Sequence, residues 1–268
     1  MKRYLLVDNG DDSIYVDHVH KRLIPLIKEI DYLFKKNNID YIINGGTLLG
    51  AIRHQGFIPW DDDFDIAIKF DDLDAVIDVL NKQLSDKYCF QSYYSDLNYN
   101  VLLPAFKVRI KDTYVIEKNV LLKHNCNNGD GIFIDIFLLS NISENKFEDF
   151  RYRFFNIGLM PIICLLDNMN IRPKKLKKLF IDTAYKYHHK NRDSKYIGVD
   201  LTWTFSFLNP DIFLKEDIFK TIDIKFENLS LPVPKNYHNF LVQSFGENYM
   251  ELPHVSKQEP KHIKYVEL

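Results

Sequence analysis

The chain has 268 residues, 46% of them hydrophobic and 27% charged, with 35 basic and 37 acidic side chains and a formal net charge of −2. This balance excludes disordered and fibrous classes and disfavours a bulk nucleic-acid binder, which would be clearly basic. The cysteines, Cys89, Cys126 and Cys164, show no zinc or disulfide-framework spacing and fit a reducing compartment.

The N-terminal stretch loses its apolar character at Asp8, short of a signal peptide. Ile14 to Asn38 predicts one amphipathic helix, because Val16, Val19, Leu23, Leu26, Ile27, Ile30, Leu33 and Phe34 recur at three- and four-residue steps. Tyr41-Ile42-Ile43 reads as a short strand running into Asn44-Gly45-Gly46-Thr47, with a helix resuming over Leu48 to His54. Phe64 to Phe70 alternates like a strand, and Asp72 to Leu84 is helical in pattern. Ala105 to Ile110 and Tyr114 to Glu117 suggest a β-hairpin around Lys111-Asp112.

Ile132 to Leu139 is a nearly unbroken apolar run, the pattern of a strand buried on both faces. Helical sequence follows from Lys146 to about Lys190, and the tail carries turn signals such as Leu231-Pro232-Val233-Pro234. The longest apolar stretch, Ile157 to Leu166, is about half a membrane span and contains Pro161, so no transmembrane segment is expected. The expected class is α/β (α+β), a mixed sheet flanked by helices with a helical C-terminal part. Its expected organisation is a core over 1–145 and a mostly helical part over 146–268, in one compact unit.

Trp60-Asp61-Asp62-Asp63-Phe64-Asp65-Ile66 is the most informative stretch. On a strand, Asp61, Asp63 and Asp65 would share one face, where like charges repel unless a cation neutralises them. Hard divalent ions such as Mg²⁺ or Mn²⁺ suit such oxygen ligands. Read alone, the run also fits a solvated acidic turn. An EF-hand does not fit, because Ile66 stands where that loop needs glycine and Asp72 where it needs glutamate.

Asp135 interrupts the apolar run Ile132 to Leu139, and a carboxylate buried there is costly unless paired or metal-bound. Backbone N–H groups or an arginine would satisfy it equally well. Together, Asp63, Asp65 and Asp135 make a candidate site for one or two ions. Asn44-Gly45-Gly46-Thr47 lacks the P-loop and Rossmann patterns, yet it permits close backbone approach and phosphate binding at a helix start; a plain tight turn is the alternative. Arg53 is a nearby basic group, and Lys107 and Arg109 would share a strand face that either clamps a diphosphate or is simply solvated. No histidine shows ligand spacing. Arg172 to Lys195 holds nine Lys or Arg against Asp182 and Asp193, a basic amphipathic segment suited to anionic lipid, an anionic acceptor or an ordinary surface.

The block from Asn44 through Gly50-Ala51-Ile52-Arg53-His54-Gln55-Gly56-Phe57-Ile58-Pro59-Trp60 to Ile66 closely resembles the signature of the LicD family. That family holds phosphocholine transferases and relatives of the fukutin-type ribitol-phosphate transferases. The resemblance continues at Phe106 to Arg109, Ile134 to Phe137 and Phe245 to Pro253. It implies a nucleotidyltransferase fold and a Mg²⁺- or Mn²⁺-dependent transferase, with Asp63, Asp65 and Asp135 as catalytic metal ligands. It implies substrate binding by Gly45, Gly46, Thr47, Arg53, Lys107 and Arg109. The implied donor is a CDP-activated alcohol, CDP-choline first, and Trp60, Tyr93, Tyr94, Trp203 and Tyr249 are candidates for its trimethylammonium group. The implied acceptor is a sugar hydroxyl of a glycan or lipid-linked glycan, as in teichoic acid or lipopolysaccharide precursors, and the implied location is cytoplasmic, at the inner face of the membrane. Leu138 and His254 stand where family members often have proline, which leaves donor and acceptor identity open. The alternatives are a metal-dependent sugar-nucleotide glycosyltransferase and a non-catalytic ion-binding protein of a glycan assembly complex.

Overall fold

The computed structural model describes residues 4–94, 97, 105–118, 131–199 and 211–268. A small antiparallel pair, β1 (Leu5–Val7) and β2 (Ile14–Tyr15), leads into α1 (Val16–Lys36), which buries all eight apolar residues that its spacing marks. Strand β3 (Tyr41–Ile43), helix α2 (Gly45–His54), strand β4 (Asp65–Lys69) and helix α3 (Leu73–Gln83) follow as the patterns predict, with one difference. Gly45 and Gly46 already belong to the first turn of α2 and are not a loop before it.

Strands β5 (Tyr88–Ser92), β6 (Phe106–Ile110), β7 (Tyr114–Glu117) and β8 (Phe133–Ile142) complete the first half. The long apolar strand β8 is the centre of the seven-stranded sheet. It pairs in parallel with β4 on one edge, while β6 and β9 (Tyr196–Val199) pair antiparallel along the other. Such a strand is covered on both faces and both edges, which is why its sequence is continuously apolar.

The β6–β7 hairpin is not formed. β6 pairs with β5 and β8, whereas β7 pairs with β13 (Ile263–Glu267) at the far end of the chain. Thr113 decides this locally: its hydroxyl donates to the Ile110 carbonyl and accepts from the Ile132 N–H. The link is thereby tied to the approach of β8, and β7 is left for another partner.

Helices α4 (Lys146–Asn168) and α5 (Lys174–Lys190) occupy the predicted helical region. The rest of the C-terminal part adds strands as well. β9 and β10 (Ile212–Leu214) extend the main sheet, and β11 (Thr221–Phe226) pairs with β12 (Leu229–Pro234). The Leu231 to Pro234 segment, expected as turn, is therefore strand; its prolines are tolerated because β12 has a single partner and lies at an edge. Short helices α6 (Lys215–Ile218) and α7 (Tyr237–Phe245) flank these strands. One large apolar cluster joins α1, α2, α3, the main sheet, β12 and β13.

Candidate active site

The site begins with register. Asp65 on β4 stands directly opposite Asp135 on β8, and Asp135 stands directly opposite Lys107 on β6. Three charged residues therefore form one row across three adjacent strands of a sheet that is otherwise apolar there. Asp63, in the loop before β4, completes the set: Asp63, Asp65 and Asp135 each offer a carboxylate oxygen, all within 4.8 Å of one another.

The triad is buried and short of counter-charge. Burial comes first and neighbouring carboxylates second in pushing Asp61 and Asp63 up to about 8, and the same two causes hold Asp65 well above the usual carboxylate range. Burial also raises Asp135, against the pull of Lys107, whose ammonium lies 2.7 Å from its Oδ1. Asp65 Oδ1 is buried and has no hydrogen-bond partner among the described residues. Three converging hard oxygens, one of them orphaned, fit a divalent cation.

Helix α2 presses its first turn against these acids, and the two glycines permit it. Gly45 has φ of +52°, and a Cβ there would meet Asp65 Oδ2 at 3.3 Å; a Cβ on Gly46 would lie 2.7 Å from Asp61 Oδ2. Thr47 Oγ1 accepts from the Asp65 N–H at 2.8 Å, so its observed role is to fix the start of β4. Its side chain is buried, 4% exposed.

The expected basic clamp is divided. Lys107 is buried and faces Asp135 at 2.7 Å with Glu117 at 3.4 Å, so it offsets only part of the charge of the acid row. Arg109 is fully buried, and its guanidinium donates to Gln91, the Gly131 carbonyl and Glu117. Arg109 as a phosphate ligand is therefore corrected. Gln91 and Glu117 cover this face of β6, and Arg109 becomes the end of an alternating chain Arg109–Glu117–Lys107–Asp135.

A cleft of about 540 Å³ opens above the acids. Asp61, Asp63 and Asp65 form its floor, with Gly46, Arg53 and Trp60 on one side. The opposite wall comes from the C-terminal segment: Tyr249, Glu251, Pro253, Lys257, Lys261 and His262. Arg53 donates to the carbonyls of Tyr249 and Glu251, both at 3.0 Å, and so ties that wall to α2. Asp62, which with Asp61, Asp63 and His262 offers ligand atoms all within 4.8 Å of one another, accepts from the N–H groups of Lys261, His262 and Ile263 at 2.6 to 3.2 Å. This grip brings His262 Nε2 to 3.1 Å from Asp63 Oδ2.

Sequence reading missed Lys257, Lys261, His262 and the structural role of Asp62. Nothing in local spacing marks them, since the partners are about two hundred residues apart. Of the aromatic candidates, Trp60 and Tyr249 line the cleft. Tyr93 and Tyr94 do not: they stack on each other and pack against Phe180 and Tyr185. Trp203 lies outside the described residues.

Residues 38–150 match the family described as LicD/FKTN/FKRP, nucleotidyltransferase domain, and the chain thus carries a LicD-family domain. Among relatives, it is 27% identical over 266 aligned positions to the lipopolysaccharide cholinephosphotransferase LicD of Haemophilus influenzae, covering 88% of this chain and 92% of that protein. Uncharacterised proteins of Rickettsia typhi and Rickettsia prowazekii share shorter stretches. The first is 46% identical over 72 residues, covering 27% of this chain and 20% of that protein. The second is 58% identical over 50 residues, covering 19% of each.

Proposed function

We propose that this protein transfers a phospho-alcohol group, phosphocholine first among candidates, from a CDP-activated donor to a sugar hydroxyl of a cell-surface glycan precursor. The observation that carries this reading is the convergence of Asp63, Asp65 and Asp135 beneath a cleft walled by Lys257, Lys261 and Arg53. The LicD-family domain supports a phosphotransferase, and the Haemophilus relative supports choline and a lipopolysaccharide-type acceptor.

Asp63, Asp65 and Asp135 would hold Mg²⁺ or Mn²⁺, which when bound offsets diphosphate charge in phosphoryl transfer. The protein's own groups do the rest. Lys107 keeps Asp135 oriented and pulls against the upward shift that burial imposes on it. Lys257 and Lys261 face the donor phosphates from the C-terminal wall, and the Gly45-Gly46 turn lets α2 approach the floor closely. Trp60 and Tyr249 offer aromatic surface to a trimethylammonium group. In the reaction the acceptor oxygen bonds to the alcohol-bearing phosphorus as the phosphorus–oxygen bond to CMP breaks. The hydroxyl proton passes to a carboxylate of the acid cluster, for which Asp135 is our candidate.

The test is release of CMP from a panel of CDP-alcohols, and of the corresponding nucleotide from nucleotide sugars, with Mg²⁺, using purified wild-type and Asp63→Asn proteins. Release from CDP-choline that is lost in the variant supports the proposal. Unchanged release by Asp63→Asn, or turnover of nucleotide sugars alone, overturns it.

A further inference from the structure

Helix α4 is apolar on both faces, packing Leu159, Met160, Ile163 and Cys164 into a core cluster on its inner side. Its buried face carries Arg153, Asn156 and Asp167, with Arg153 paired to Asp149 and Asp167 paired to Lys177 of α5 at 2.7 Å each. Its outward face is apolar: Phe147, Phe150, Phe154, Ile162, Leu165 and, just past its end, Met169 are all exposed, from 46% to 68%. These positions recur at three, four and eight residues, so they form one stripe down the helix. Gly158 and Pro161 fill the gap in that stripe without adding a polar group. At 1.5 Å per residue the stripe is about 30 Å long, and an apolar face of that extent marks an interaction surface.

The rim is basic. Exposed Lys146, Arg151 and Lys186 flank the stripe at one end, with Phe147, Arg151 and Phe155 lining a shared groove with Lys186. Exposed Arg172, Lys174 and Lys175 follow its other end. Nearby acids are engaged locally: Glu148 with Lys190 at 2.6 Å and Asp182 with Lys178 at 3.1 Å. A second copy docking on this face would oppose one basic rim to another, whereas an anionic bilayer complements both the rim and the stripe. Among the described residues no helix is long and apolar enough to cross a membrane, so the fitting mode is a helix lying in the interface plane.

We propose that the α4–α5 hairpin docks this protein on an anionic phospholipid bilayer, with the phenylalanine stripe of α4 seated among the acyl chains and the basic rim on the headgroups. The proposal is independent of the reaction proposed above. The test is co-sedimentation of the full chain with phosphatidylcholine vesicles with and without phosphatidylglycerol, comparing wild type, Phe154→Asp/Leu165→Asp and Lys174→Glu/Lys175→Glu. Wild type is expected to bind the anionic vesicles, with binding weakened about tenfold or more by the first pair and several-fold by the second. The altered side chains are exposed, so thermal unfolding and CMP release in detergent-free buffer are expected to match wild type, which separates this result from any failure of the proposed reaction. Equal binding by wild type and Phe154→Asp/Leu165→Asp overturns the proposal, as does equal binding to neutral vesicles. Failure of wild type to bind either vesicle, with or without a dimer that the same pair dissolves, also overturns it.

Discussion

The floor and the C-terminal wall of the cleft are built in different ways. The floor stands on three hydrogen-bonded strands, with Asp65, Asp135 and Lys107 held side by side by register. The wall leads into β13, which pairs with β7, and it reaches the floor through polar contacts made by Asp62, Arg53 and His262. Groups that must keep sub-ångström relations belong on strands whose backbone is locked. Groups that meet a variable substrate can sit on a segment fastened at a few points.

The largest break in this contrast is expected at the floor. Asp65→Asn should lower CMP release by two orders of magnitude or more and abolish stabilisation by Mg²⁺ in thermal melts, while the metal-free protein melts no lower than wild type. A lower melting temperature without metal would mean that Asp65 holds the fold together in place of straining it. Lys107→Met strips Asp135 and Glu117 of their shared cation. It should cost about 3 kcal/mol in denaturant unfolding, as expected for a broken buried pair.

Changes to the wall should cost less stability and show mainly in substrate use. Asp62→Ala removes the acceptor of three backbone N–H groups and is expected to destabilise by about 2 kcal/mol, with KM for the donor rising more than kcat falls. Lys261→Ala keeps that backbone grip, so it should raise KM several-fold and leave the unfolding midpoint within experimental error.

The smallest effect sets a baseline away from both regions. His188 of α5 accepts from the Asn141 N–H of β8, and burial lowers it from 6.5. Its folded value lies below its unfolded one, so the stability it provides is present above about pH 6.5 and is lost as pH falls through the folded value. Urea midpoints should therefore drop below that pH in wild type and more weakly in His188→Gln.

Reading residues in order found the floor because its acids are either clustered or conspicuous. Asp61 to Asp65 stand together, and Asp135 breaks an apolar run where a charge needs a partner. The same logic misassigned Arg109 and the β6–β7 link. Alternation along β6 correctly put Lys107 and Arg109 on one face, yet it carries no information about what covers that face. Glu117 and Gln91 supply the cover, and β13 takes the place of β6 as partner of β7.

The amino-acid sequence by itself determined helices α1 to α5, the buried central strand and the acids of the floor, because periodicity and the cost of burying charge are local properties. Only the tertiary structure decided that Asp135 faces Asp65, that Asp62 is a fastener, and that Lys257, Lys261 and His262 complete the cleft. Those relations depend on strand register and chain return across up to two hundred residues, where no local pattern constrains which side chain meets which.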